Sequence, residues 1–304
     1  MASINQKELK PITIVVKNIG SFPTDVIECL LTLFNVYSTN IDLTDVDNSL
    51  KTRLENECLK NIEDIPVDKP LIWQSSLESF NINNFLFNKD KIVMNDLDSV
   101  TDITRINFHY LFAEYEWMTK FTRNRTSVEN MLPIVAKQNL GHFKDVKTCE
   151  TVEDVINLPI EYEVFEEKLD IENEYILSVF NDKELVMYEK DVEGNLQYFK
   201  YLPFKHELED DEVDENGEEV ELNEEEQFEK DVKDINDIIK NVIDAKSYEL
   251  NFCVTKDNKI KVIDVHLQPV LKVPTILAMF ETVCEDYFGS VPEDFEKVLK
   301  EFKK

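Results

Sequence analysis

Residues Lys261 to Leu271 read KVIDVHLQPVL. The first half alternates as a β-strand does, with Val262, Asp264 and His266 on one side and Ile263, Val265 and Leu267 on the other. A carboxylate and an imidazole therefore share a strand face whose reverse is apolar. Pro269, which has no N–H for a ladder, ends the strand. Two readings of the Asp264/His266 face are open: the wet side of a sheet, or a ligand-binding edge.

Upstream, YELNFCVT (Tyr248–Thr255) reads as the partner strand across a KDNK turn, and FEKDVKDINDIIKNVIDA (Phe228–Ala245) has helical periodicity. NEYILSVF (Asn173–Phe180) and ELVMYEKD (Glu184–Asp191) flank an Asn181–Asp182–Lys183 turn and predict an antiparallel hairpin. EYEVFEE (Glu161–Glu167) and LPIVAK (Leu132–Lys137) are further strands, and TVEDVINL (Thr151–Leu158) is a short helix opened by Thr-x-x-Asp. DITRINFHYLFAEYEW (Asp102–Trp117) predicts an amphipathic helix with a stripe through Ile103, Ile106, Tyr110 and Ala113.

Before residue 95 the pattern changes. ITIVV, DVIECLLTLF, VYSTNID, LKTRLENECLKNI, PLIWQ and KIVMN alternate strand-like with helix-like, which predicts a small parallel α/β domain over residues 1–95. Residues 96–304 then form a second, α+β part, with PTILAMFETVCEDYF and PEDFEKVLKEF as closing helices. The fold class expected is α/β plus α+β. Glu207 to Glu226 is almost wholly acidic and reads as a solvated insertion, or as a docking segment for a basic protein.

Bulk properties narrow the function. With 304 residues, 42% of them hydrophobic, the chain can bury a large core. The net charge of −30 disfavours a nucleic-acid phosphate binder and an anionic membrane surface. No apolar run approaches a membrane span and MASINQKELKP lacks an apolar leader core, so a cytoplasmic location is expected. Five cysteines without pairing or CxxC spacing read as buried thiols. Five glycines form neither GxGxxG nor GxxxxGK[ST], against dinucleotide-binding and P-loop sites.

From Asn95 to Pro269 the order of parts resembles the ATP-grasp superfamily of carboxylate–amine ligases, in particular the branch with ribosomal-protein glutamate ligases and glutathione synthetases. The residues carrying the likeness are KIVMN ending at Asn95, the helix that opens near Arg105, Pro133-Ile-Val-Ala-Lys137, QNLGHFKDV with Gly141, YEVFEE, EYILSV with its hairpin partner ending at Lys190, and Asp264-Val-His266-Leu-Gln-Pro269. The resemblance implies a two-lobed nucleotide-binding domain over 96–304 that uses ATP and Mg²⁺ to join a small-molecule or peptide carboxylate to an amine. It implies Lys137 and Arg105 on phosphates, Lys190 in the catalytic set, and Gly141, His142 and Lys144 in a phosphate lid. It further implies Glu163, Val164, Phe165 and Glu166 lining adenine, and metal held by Asp264, Asn251 or Glu249, and His266.

The sequence departs from the family where it has Asp264 for Glu, His266 for Asn and Asn251 for Asp, and where its loop keeps one glycine. Mg²⁺ prefers oxygen to imidazole. A second reading follows: a catalytically weakened ATP-grasp fold that binds nucleotide or a basic partner.

Overall fold

The structure is a computed structural model that describes residues 10–44, 46–66, 68–73, 104–139, 146–191, 193–201, 223–243, 245–266 and 270–302. KIVMN, Gly141, His142, Lys144, Pro269 and most of the acidic segment lie outside them. The chain divides into two compact units, residues 1–94 with 268–304, and residues 95–267.

The first unit begins with β1 (Thr13–Asn18), α1 (Thr24–Leu33), β2 (Asn35–Asn40), α2 (Asn48–Glu57) and β3 (Leu71–Trp73). The strands are parallel in the order β2-β1-β3. Four consecutive residues of β1, Thr13 to Val16, are buried, as in a parallel sheet covered on both faces. Asp47 caps α2 by accepting from the N–H groups of Ser49 and Leu50. Gly20 has its own requirement, because a Cβ there would lie 1.8 Å from the Asp42 carbonyl oxygen. Gly20→Ala is expected to destabilise this unit by about 1–3 kcal/mol, read as a lower urea midpoint. An unchanged midpoint would mean that the Asp42 backbone yields.

The second unit carries two antiparallel sheets. The smaller, in the order β4-β7-β5-β6, comprises β4 (Phe121–Thr122), β5 (Ile134–Gln138), β6 (Val146–Cys149) and β7 (Tyr162–Glu167). α3 (Arg105–Leu111) precedes it, and α4 (Val152–Ile156) lies between β6 and β7, opened by a reciprocal Thr151/Asp154 cap. The larger sheet, β10-β9-β8-β11-β12, comprises β8 (Ile171–Phe180), β9 (Lys183–Lys190), β10 (Leu196–Tyr201), β11 (Tyr248–Thr255) and β12 (Ile260–His266). The β8–β9 turn is Asn181–Asp182, with φ of 50° and 66°, since Phe180 pairs with Lys183. α5 (Glu224–Val242) packs Val232, Ile235 and Ile239 on one face of this sheet, against Leu177, Val179, Leu250 and Phe252.

α3 is shorter than the sequence periodicity suggested. Phe112, Tyr115 and Trp117 leave the helix and pack ring against ring, with centroids 5.1 to 5.9 Å apart. Tyr110, expected on the apolar stripe, is 61% exposed, and the buried face runs through Arg105, Ile106, Phe108 and His109. Arg125, in the basic stretch TKFTRNR, donates to the carbonyls of Leu158 and Pro159 and lies over the Phe165 ring at 5.7 Å, so it ties the smaller sheet together.

The chain closes with α6 (Val273–Phe288) and α7 (Glu293–Phe302). The sequence reading placed them in the second domain, but they pack with the first unit. Ile276, Leu277, Met279, Phe280, Val283 and Cys284 of α6 are buried, and Phe280 meets Phe34 edge-on at 5.4 Å. All five cysteines are buried thiols. Among the described residues no helix is long and apolar enough to cross a membrane.

Candidate functional site

Register fixes which side chains share the open face of the larger sheet. Asn251 pairs with Asp264 and Ile176, Glu249 pairs with His266 and Ser178, and Lys190 pairs with Glu174. Paired residues of an antiparallel ladder point to the same side, and residues two apart on one strand do so too. Asp264, Asn251, Glu249, His266, Ser178 and Lys190 therefore belong to one face, opposite the face covered by α5.

Simple alternation fails in β12. Asn251 faces Asp264, but Phe252 faces Val262, so Ile263 is an extra residue in a β-bulge. Val262 is thereby turned into the apolar cluster with Val265, while Asp264 and His266 keep the polar side. This corrects the expectation that Val262 shares a face with Asp264. The bulge also redirects backbone groups: Val262 N–H donates to the Trp117 carbonyl at 2.8 Å, and the Ile263 carbonyl accepts from Lys137 Nζ at 2.9 Å.

The smaller sheet sends its polar residues toward the same place. Ala136, Ile134 and Phe165 pack in its core cluster, which leaves Lys137 and Glu166 on the other face. Lys137 Nζ lies 2.7 Å from Glu166 Oε2. α3 supplies two more groups, Arg105 and His109, four residues apart and thus on one helix face. Arg105 Nε donates to Asp264 Oδ2 at 2.7 Å, Nη2 lies 2.7 Å from the same oxygen, and Nη1 donates to the Gln138 carbonyl at 2.6 Å. His109 Nε2 lies 2.9 Å from Glu166 Oε1.

The result is two buried ion-pair groups, Arg105–Asp264 and Lys137–Glu166–His109, joined where Lys137 donates to the Ile263 carbonyl next to Asp264. Arg105, Asp264, Lys137, Glu166 and His109 are each at most 7% exposed. Two cations face two carboxylates, which is how charges become tolerable away from water. Burial by itself would push the Glu166 carboxyl up; the Lys137 ammonium and the His109 hydrogen bond outweigh it and hold the group below the usual carboxylate range.

Of the residues expected from the sequence, Arg105, Lys137, Glu166 and Asp264 belong to these two linked groups. Asn251 and Glu249 lie beside them, joined by an Asn251 Nδ2–Glu249 Oε1 hydrogen bond of 3.1 Å. His266 Nε2 is 3.7 Å from Asp264 Oδ2. Phe165, expected to line adenine, belongs to the core cluster behind the sheet. Glu163 is the extra residue of a second bulge, between the Lys137–Val164 and Gln138–Tyr162 pairs. Val164 is fully buried on the Lys137 side. Lys190 lies at the strand end, ion-paired with Glu174 at 2.5 Å.

His109 and Ser178 were not anticipated. His109 carried a signal, its four-residue spacing from Arg105; Ser178 carried none, since only strand register brings it beside Glu249. Ser178 Oγ and Asn251 Oδ1 are buried without a hydrogen-bond partner among the described residues. Also among the described residues, no three His, Cys, Asp or Glu side chains group closely enough to hold a metal ion by themselves.

The sequence matches no protein-family model and no curated relative. Solved structures do resemble it. D-alanine–D-alanine ligase from Coxiella burnetii superposes with a TM-score of 0.55 at 11% identity, over 95% of this chain and 93% of that one. D-alanine–D-alanine ligase from Bacillus anthracis, solved with ATP, gives 0.52 at 14% identity, over 95% and 98%. N5-carboxyaminoimidazole synthetase from Staphylococcus aureus gives 0.52 at 12% identity, over 91% and 78%. These neighbours are ATP-grasp carboxylate–amine ligases, and the chain has their mixed α/β fold. At such identities the likeness is one of fold.

Proposed function

We propose that the protein is an ATP-dependent ligase that joins a carboxylate to an amine. The observation that carries the reading is the convergence of Lys137, Arg105, Asp264 and Asn251, from two sheets and one helix, on one buried spot. The ATP-grasp fold of the structural neighbours supports it. Lys137 and Arg105 are the cations for the triphosphate. The substrate carboxylate oxygen attacks the γ-phosphorus, the bond to the β-phosphate oxygen breaks, and ADP leaves. The amine nitrogen then attacks the acyl carbon of the acyl phosphate, phosphate departs, and nitrogen gives up a proton.

The donor set suits Mg²⁺. Asp264 offers a carboxylate, Asn251 a buried amide oxygen with no hydrogen-bond partner among the described residues, and Glu249 a second carboxylate. A hard cation sharing these with phosphate oxygens needs no third protein carboxylate. When bound it supplies charge neutralisation across the phosphates. His266 is the departure: imidazole is a poor ligand for Mg²⁺, and its Nε2 stands 3.7 Å from Asp264 Oδ2, outside hydrogen-bond distance of that oxygen.

A second reading rests on the ion pairs themselves. Lys137 and Arg105 already face Glu166 and Asp264, so both cations are paired before nucleotide arrives. A weakened ATP-grasp fold that binds nucleotide, or a basic protein through residues 207–226, has the same geometry.

Thermal denaturation separates these readings. MgATP at a hundredfold excess over its Kd adds about 2.7 kcal/mol to stability, so the midpoint is expected to rise with MgATP and much less with ATP plus chelator. No shift at millimolar MgATP removes both nucleotide readings. A shift without ADP formation across carboxylate and amine mixtures favours the second. Removing residues 207–222 is expected to spare the MgATP shift, and loss of capture of a basic protein in that variant assigns the segment its partner.

A further inference from the structure

Glu166 belongs by strand position to the expected adenine slot, yet its carboxylate is committed elsewhere. Oε2 holds Lys137 Nζ at 2.7 Å and Oε1 holds His109 Nε2 at 2.9 Å. We propose that Glu166 and His109 are positioning residues for Lys137, fixing the direction of its ammonium. The role of Lys137 on phosphate rests on the ligase reading; the way it is held does not.

The geometry carries this in three steps. A lysine ammonium is a compact charge on a flexible stem, with three N–H donors and no direction of its own. Here Glu166 Oε2 takes one donor and the Ile263 carbonyl a second, so the third has a defined direction. Glu166 is in turn aimed by His109, whose ring stacks on Phe121 at 4.4 Å with 19° between planes. Phe121 is the residue paired with Glu166 across β4 and β7. Imidazole, carboxylate and their packing partner thus form one rigid corner.

Burial makes the arrangement costly as mere scaffolding. Lys137, Glu166 and His109 are each 3% exposed. An apolar trio of similar volume would join the same strands and helix without desolvating charge, but it would present no directed N–H. Among the described residues, the charged or titratable groups around Lys137 include Asp264 on β12, next to Ile263, Arg105 on α3, held to the neighbouring Gln138 carbonyl, and Cys253 on β11. Burial pushes the Cys253 thiol up to about 12, so it stays a neutral neighbour.

Removal of the carboxylate leaves the Lys137 N–H group it held without its acceptor, so the ammonium is free to turn. The test is NMR of the full-length protein labelled with ¹⁵Nζ-lysine, the Lys137 signal being assigned by its loss in Lys137→Arg. A held ammonium keeps its N–H protons from rapid exchange with water, and in Glu166→Gln the Lys137 signal is expected to lose that protection. His109→Phe should reduce it by less, and His109→Gln, which restores an N–H donor, should bring it back. MgATP affinity measured by calorimetry should fall by about tenfold in Glu166→Gln and by no further amount when Glu166→Gln is added to Lys137→Met.

A structural role alone lowers melting temperature and leaves the Lys137 signal as it was. Equal protection of the Lys137 N–H protons in wild type and Glu166→Gln overturns the proposal. If Glu166→Gln does not fold, an unchanged Lys137 signal in His109→Phe does the same. If the signal changes as expected but the wild type binds no MgATP, the ligase reading fails and the positioning of Lys137 stands.

Discussion

Asp264→Ala is expected to destabilise the second unit by about 3–5 kcal/mol, and the reason is Arg105. Asp264 is 6% exposed, and its Oδ2 receives Arg105 Nε at 2.7 Å with Nη2 at the same distance. The truncation removes the carboxylate that the guanidinium touches among the described residues and leaves a charge that cannot be discharged by losing a proton. Water cannot replace the lost partner cheaply, because Arg105 is itself 7% exposed and its other hydrogen bond goes to the Gln138 carbonyl. Urea unfolding followed by tryptophan fluorescence reads the loss.

The double variant Arg105→Met/Asp264→Leu separates charge from packing. It removes both charges at similar volume and should recover most of the stability, since a buried ion pair seldom outperforms an apolar pair. A loss below about 1 kcal/mol in Asp264→Ala, the range of a surface ion pair, would show that the pair is solvated. The same result bears on function. Loss of turnover in Asp264→Ala reports on folding as well as on metal, so the metal role is better read in Asp264→Asn, which keeps an acceptor oxygen for Arg105.

The parts of this site that were legible in the sequence are those set by local pattern. Lys137 ends an apolar strand, Asp264 sits on the last strand before Pro269, and Arg105 opens a helix; periodicity placed them on these elements, and the resemblance to the ATP-grasp order of parts brought them forward. The parts that were not legible depend on partners far away in the chain. The bulge at Ile263 breaks the two-residue alternation on which the face of Val262 was assigned. It is stabilised by the Trp117 carbonyl on one side and by Lys137 on the other, at sequence separations that no local window contains.

His109 was hidden differently. Its neighbours Phe108, Tyr110 and Leu111 blur a stripe in which any of four adjacent residues can be the buried one. The ambiguity resolves only when Glu166 and Phe121 supply a carboxylate and a ring for the imidazole. Polar residues entered the core wherever a partner from another element was waiting, and hydrophobic periodicity alone has no term for that.

Lys137→Met carries the second large effect, and its pH dependence identifies the cause. In the wild type, Glu166 is held below the ordinary carboxylate range although burial opposes this, because Lys137 and His109 outweigh it. A carboxyl whose folded-state value is depressed stabilises the fold above its unfolded-state value, and that contribution is lost as pH falls through the folded-state value. Methionine removes the Lys137 charge, the largest of the influences that oppose burial, and leaves His109 alone against it, so the Glu166 carboxyl moves up in the variant and takes its proton at higher pH than in the wild type. The stability difference between wild type and Lys137→Met is therefore expected to be largest near pH 8, about 3–5 kcal/mol, and to shrink toward pH 5, as measured by urea midpoints at each pH. MgATP binding is expected to weaken by at least about tenfold at every pH, the loss of one charge-assisted hydrogen bond. A stability difference that stays constant from pH 8 to pH 5 would assign the cost to lost packing of the lysine stem and would free Glu166 from the account. A difference that shrinks while MgATP affinity is untouched would leave Glu166 and Lys137 as a buried pair whose ammonium does not meet the nucleotide.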